Sequence, residues 1–144
     1  MQTYGMTGTY YHNLDAKGRL NFPAKLREVL GETFVVAKDG NGEHCLCVYP
    51  MAHWQELIAS MEAQPGASAN RLRRWLLAGA VEVTPDKQGR ILLPQKLREF
   101  AGLDKDVAVV GAGYKAEIWN LADWEDADEA FDPSDVPETG MLRL

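Results

Sequence analysis

The sequence repeats itself, and the repeat limits the fold more than any other feature. Residues 15–31 read DAKGRLNFPAKLREVLG and residues 86–102 read DKQGRILLPQKLREFAG. Nine of these 17 positions are identical: the Asp, Gly, Arg, Pro, Lys, Leu, Arg, Glu and final Gly. Farther along, Val48-Tyr49-Pro50-Met51-Ala52-His53-Trp54 aligns with Ile118-Trp119-Asn120-Leu121-Ala122-Asp123-Trp124. A unit this small buries too little surface to stand comfortably alone. Two copies in one 144-residue chain are therefore expected to share a core, as a dimer of small domains would. The expected organisation is a first repeat over 7–54, a helical connector over 55–77, a second repeat over 78–124 and an acidic, mobile tail over 125–144.

Each unit can be read locally. Pro23 and Pro94 suit the first position of a short helix, where a missing N–H costs nothing. Gly31 and Gly102 suit its left-handed cap. Leu26, Val29 and Leu30, and likewise Leu97, Phe100 and Ala101, fall on one helical stripe. Extended runs lie before each helix (Arg19–Phe22, Arg90–Leu93), and two more follow it, separated by Gly-containing turns. The unit reads strand, loop, strand, helix, strand, strand. The predicted class is α+β, mostly β and barrel-like, because the crossover helices a parallel sheet requires are too short here. In the connector, Trp54, Leu57, Ile58 and Met61 form one apolar stripe, Pro65-Gly66 a break, and Leu72, Trp75 and Leu76 a second stripe.

The net charge of −6 argues against a nucleic-acid partner until its distribution is examined. Eight acidic residues and no basic one lie between Asp123 and Glu138. Without residues 123–144 the chain carries 14 Lys plus Arg against 13 Asp plus Glu, a net of +1. The acidity belongs to the tail, which is expected to be solvated, with no regular structure over 132–137.

Other classes find little support. Cys45 and Cys47 are too close to staple distant segments. With His44 and His53 they offer four potential metal ligands, but their alternation with Leu46 and Val48 reads as a buried strand, so no metal site is expected. No nucleophile elbow, dinucleotide loop or P-loop occurs, so neither an enzyme nor a cofactor is expected. No apolar run approaches membrane-spanning length and no export signal begins the chain, so an intracellular, soluble protein is expected.

The informative motif is Asp-x-x-Gly-Arg, present as Asp15-Ala16-Lys17-Gly18-Arg19 and Asp86-Lys87-Gln88-Gly89-Arg90. One reading is a plain connecting turn. Asp accepts backbone N–H bonds, Gly takes positive φ, and Arg pairs back onto the Asp. The other adds nucleic-acid contact, since Arg and Lys on an exposed loop offer a bidentate fork to guanine and point charges to phosphate. Spacing alone leaves both open. Lys25/Arg27 and Lys96/Arg98 read as solvated helix faces or intersubunit ion pairs. Arg71, Arg73 and Arg74 read as a solvated face, or else as a subunit or phosphate contact.

These motifs, with Cys47-Val48-Tyr49-Pro50 before Trp54 and Val110-Gly111-Ala112-Gly113 before Glu117-Ile118-Trp119, make residues 7–124 resemble the MraZ family of bacterial transcriptional regulators. The resemblance implies two tandem SpoVT-AbrB-like domains, folded as an intramolecular, pseudo-twofold version of a swapped-hairpin dimer. It implies self-association into a closed ring and binding of double-stranded DNA at direct repeats of a short G-rich element. Those repeats would lie in the promoter of the division and cell-wall gene cluster, beginning with the regulator's own gene, with repression as the effect and a cytoplasmic, nucleoid-associated location. It places Lys17, Arg19 and Arg90 at the DNA. The second loop has Gln88 at the Lys position, and Lys87, one residue earlier, is the DNA-binding lysine expected there. Asp15, Gly18, Asp86 and Gly89 would order the loops. The rival expectation is an oligomeric interaction scaffold without specific DNA binding.

Overall fold

The structure, a computed structural model, describes residues 5–136. The first repeat contributes β1 (Thr9–Asn13), β2 (Arg19–Asn21), α1 (Ala24–Leu30), β3 (Phe34–Lys38) and β4 (Leu46–Pro50). Then come α2 (Met51–Glu62) and α3 (Ala67–Ala78). The second repeat follows as β5 (Val81–Val83), β6 (Arg90–Leu92), α4 (Gln95–Phe100), β7 (Asp106–Gly111), β8 (Ala116–Asn120) and α5 (Leu121–Ala130). The predicted α+β class, dominated by antiparallel strands, is what forms.

The two repeats exchange strands. The main sheet runs β1-β7-β8-β4-β3-β5, so the first strand of each repeat lies beside the hairpin of the other. β2 and β6 pair separately as a two-stranded ribbon. Among the described residues no ladder joins the sheet's outer strands β1 and β5. The registers obey a pseudo-twofold relation: Val36 faces Val81 where Val109 faces Tyr10, and Val48 faces Ala116 where Leu46 faces Ile118. In the ribbon the axis runs through the pair Leu20–Ile91.

The ribbon and the short helices cover one sheet face. Leu20 and Ile91 point inward from the ribbon onto Phe34, Val36, Val107, Val109 and Ile118, with Leu26, Leu30 and Leu97 arriving from α1 and α4. Burying each of those two ribbon side chains contributes about 1.5–3 kcal/mol, which anchors the ribbon and fixes its outward face. The opposite sheet face carries α2 and α3 on Val35, Ala37, Cys47 and Tyr49, and α5 on Ala108, Val110 and Trp119. Covering on both sides explains the unbroken apolar runs of β3 and β7, where a half-exposed strand would alternate.

Several local expectations shift. Pro23 and Pro94 cap their helices from one residue outside, with extended ψ, where a missing N–H is equally harmless. Gly31 has φ +90° but ψ −171°, so it ends α1 without a left-handed helical turn. Helix α2 starts at Met51, inside the stretch assigned to the first repeat. On α3 only Leu76 of the expected stripe is buried. Leu72 is exposed, and Trp75 lies edge-on to Phe100 under the Lys38 ammonium. The acidic segment begins as helix α5, the counterpart of α2, because the Asn120 side chain caps it at Asp123 N (3.1 Å) and Trp124 packs on Trp119. Pro133–Asp135 forms a 3-10 turn capped by Asp132, correcting the expectation of irregular chain there. The rest of the expected tail, 137–144, lies outside the described residues.

Candidate nucleic-acid interface

Both Asp-x-x-Gly-Arg segments fold into the same tight loop at the two ends of the ribbon. Asp15 Oδ1 accepts from Lys17 N (2.9 Å) and Arg19 N (2.8 Å), and its Oδ2 accepts from Arg19 Nε (2.8 Å). Asp86 does the same with Gln88 N, Arg90 N and Arg90 Nε, each at 2.9 Å. The backbone closes each loop through Gly18 N to Asp15 O and Gly89 N to Asp86 O. The backbone N–H of Arg19 holds the Asp15 carboxyl below the usual carboxylate range, aided by the guanidinium of the same residue, and Arg90 acts likewise on Asp86. Both carboxylates are therefore charged wherever the protein is folded near neutrality.

The ribbon register puts both arginines on one face. Arg19 stands opposite Leu92 and Arg90 opposite Asn21, while Leu20 and Ile91 between them point into the core. Strand alternation therefore sends Arg19, Asn21, Arg90 and Leu92 outward together. The Arg19 and Arg90 side chains keep 34% and 29% of their surface exposed. The aspartates occupy Nε, and among the described residues neither pair of Nη nitrogens makes a hydrogen bond. The outward end of each guanidinium is thus free to make a bidentate contact. Lys17, Lys87 and Gln88 are exposed on the loops, and neither lysine joins an ion pair among the described residues.

Each loop is braced by the opposite repeat. Leu93 N donates to Gly18 O and Phe22 N to Gly89 O, both at 2.9 Å. Arg98 Nε donates to Leu93 O (2.9 Å), and its guanidinium lies beneath Gly18; Arg27 Nε donates to Phe22 O (3.1 Å) beneath Gly89. Arg27 and Arg98 are half-buried struts, not the solvated or intersubunit charges expected of them. Both belong to the LRE shared by the two repeats, but the strut role appears only where the repeats meet. Lys25 and Lys96 are exposed.

Gly18 and Gly89 have φ of +83° and +81°. A Cβ at Gly18 would lie 3.0 Å from the Arg98 guanidinium, and one at Gly89 would lie 2.9 Å from that of Arg27. Gly18→Ala is expected to cost about 1–2 kcal/mol from the left-handed backbone alone, with displacement of the strut added. Thermal melting checks this, and an unshifted midpoint would show that the loop relaxes freely.

The other candidates separate. Arg73 clamps α3 onto the end of α2, donating to Met61 O (2.9 Å) and pairing with Glu62, while Arg71 reaches Ser68 and Arg74 is exposed. His44 leans on Phe100, and His53 stacks on Tyr49 and touches Tyr114 at a tilt, so the four His and Cys residues do not converge. Instead Asp39, Cys45 and Cys47 bring three potential ligand atoms within 4.8 Å of one another. Lys115 Nζ lies 3.5 Å from Cys47 Sγ and 3.9 Å from Asp39 Oδ1, supplying positive charge from the chain itself. No helix among the described residues is long and apolar enough to cross a membrane.

Comparison with known proteins follows the duplication. The family described as "MraZ protein, putative antitoxin-like" matches residues 6–74 and again 76–143. The chain is 47% identical over 129 residues to the transcriptional regulator MraZ of Heliobacterium modesticaldum, covering 88% of this chain and 89% of the relative. It is 48% identical over 119 residues to that of Lachnoclostridium phytofermentans, covering 82% and 83%. With that of Acetivibrio thermocellus it shares 42% identity over 135 residues, covering 91% and 93%.

Proposed function

Because the chain belongs to the MraZ family, we propose that it is a DNA-binding transcriptional regulator and no enzyme, acting as a repressor at direct repeats ahead of its own division and cell-wall operon. The observation that carries this reading is the ribbon's outer face. Two arginines, each gripped at Nε by an aspartate, present their free Nη ends on the same outward face of one ribbon. A guanidinium fixed in this way has lost much of its rotamer freedom before DNA arrives, so less affinity is spent on ordering it. Its fork matches the O6 and N7 acceptors of guanine, and the flanking Lys17 and Lys87 suit phosphates.

One ribbon reads few base pairs, which is weak recognition. A closed ring of subunits presenting several ribbons to tandem boxes gains affinity through effective concentration, provided the spacing lets them engage together. The protein then acts in the cytoplasm, on the nucleoid. Footprinting on the DNA just upstream of its own gene tests the proposal: protection of evenly spaced boxes is expected, and protection no better than on random DNA would leave an oligomeric scaffold as the reading. Affinity is also expected to fall with salt, with a slope of log K against log salt of about −2 per engaged module if Lys17 and Lys87 each displace a counterion. A flat response in a gel-shift titration would exclude those phosphate contacts.

A further inference from the structure

The pseudo-twofold is broken where it would matter most. Under the repeat symmetry Asn21 corresponds to Leu92, and both stand on the outward ribbon face beside the arginines. Leu93 N to Gly18 O and Phe22 N to Gly89 O are ladder bonds, so Arg19–Leu92 and Asn21–Arg90 fall between hydrogen-bonded pairs. In such positions opposed side chains approach most closely. One half of the face therefore presents an arginine beside a leucine, and the other an arginine beside an amide. Leu92 is 58% exposed, a large apolar side chain with no covering partner among the described residues. The loops differ in the same sense, with Ala16-Lys17 in one and Lys87-Gln88 in the other.

From this juxtaposition we infer that Asn21 and Leu92 are specificity-determining residues that give the DNA-reading face a polarity, so that each module reads a non-palindromic element in one orientation. The inference rests on the DNA-binding reading above and extends it to the base pairs flanking those read by arginine. Leu92, beside Arg19, suits the methyl group of thymine in the major groove. Asn21, beside Arg90, suits the N6 and N7 edge of adenine. Two equal halves would select an inverted repeat, whereas unequal halves distinguish the two directions along a duplex.

The experiment is selection of binding sites from randomised duplexes by the full-length protein, followed by gel-shift titration of single-base variants. The unaltered protein should select a non-palindromic element. Leu92→Asn should reduce discrimination at the base flanking the Arg19 contact by about tenfold, leaving the Arg90 side unchanged. Asn21→Leu should do the converse, and because both positions are on the surface neither variant should lose its fold. Exchanging the two, Asn21→Leu with Leu92→Asn, should reverse the flanking-base preferences along the element. A palindromic element, or unchanged base preferences in all three variants, overturns the polarity assignment while leaving DNA binding standing. A change in oligomer mass on Leu92→Asn without any change in base preference also overturns it and makes Leu92 a subunit contact. Selection of no element at all overturns both this inference and the proposed function.

Discussion

Arg19→Ala is expected to reduce discrimination of promoter repeats from random DNA sharply while leaving the mass of the assembled protein unchanged. A bidentate arginine–guanine contact is worth about 1–3 kcal/mol of discrimination, or roughly tenfold and upward. When two modules engage adjacent boxes the losses add, so a fall of about 100-fold in specific affinity is expected for the pair. The fold should not suffer, because Arg19 pairs only within its own loop and Asp15 keeps the Lys17 backbone N–H. Arg19→Lys sharpens the test. It retains the charge, and hence the salt slope, but not the planar fork, so base discrimination should be lost while nonspecific binding persists. Gel shifts on repeat and scrambled duplexes, with light scattering on the same samples, read both effects. Wild-type protection of the repeats by Arg19→Ala would remove this loop from the interface.

Lys115→Met is expected to produce the largest loss of stability, about 3 kcal/mol in urea denaturation. Lys115 and Asp39 are 7% and 3% exposed, and the ammonium lies 3.3 Å from Glu117 Oε2 and 3.5 Å from Cys47 Sγ. Burial pulls Lys115 down, yet the Cys47 sulfur and the Glu117 carboxylate outweigh it and hold the side chain above its ordinary value. Cys45, hydrogen-bonded to Cys47, is pushed up, while Cys47 is drawn down by that same bond and by Lys115. Removing the ammonium leaves the Asp39 carboxylate buried with only the backbone N–H groups of Asn41 and Glu43 and the Cys47 thiol as donors. Asp39→Asn in the Lys115→Met background should therefore cost much less than the two single effects added together. Strict additivity would show that the lysine does not stabilise that carboxylate.

The duplicated DAKGRLNFPAKLRE and DKQGRILLPQKLRE were legible because each short segment carries its own geometry: an aspartate that closes a turn, a glycine at positive φ, a proline before a helix. Such features depend on neighbours within about five residues. Arg27 and Arg98 depart from what their local sequence predicts for the opposite reason. Their roles lie beneath Gly89 and Gly18, across the exchange of repeats, and nothing local distinguishes a strut from a solvated charge. The pairing of Asp39 with Lys115 was likewise hidden, because 76 residues separate partners that meet only when β4 lies beside β8. Helix α5 was missed since its acidic composition resembles a solvated tail, while its stability comes from the Asn120 cap and the packing of Trp124 on Trp119.

By itself, then, the sequence determined the duplication, the class of fold, the loop chemistry and the family. These are carried by near-neighbour patterns that any copy of the chain must satisfy. Only the tertiary structure decided that the repeats interlock by trading β1 and β5, that Leu20 and Ile91 turn the ribbon's other face outward, and that Arg19 and Arg90 share that face with Leu92 and Asn21. Long-range strand register sets which side chains become neighbours in space, and a shift of one residue would have turned both arginines into the core.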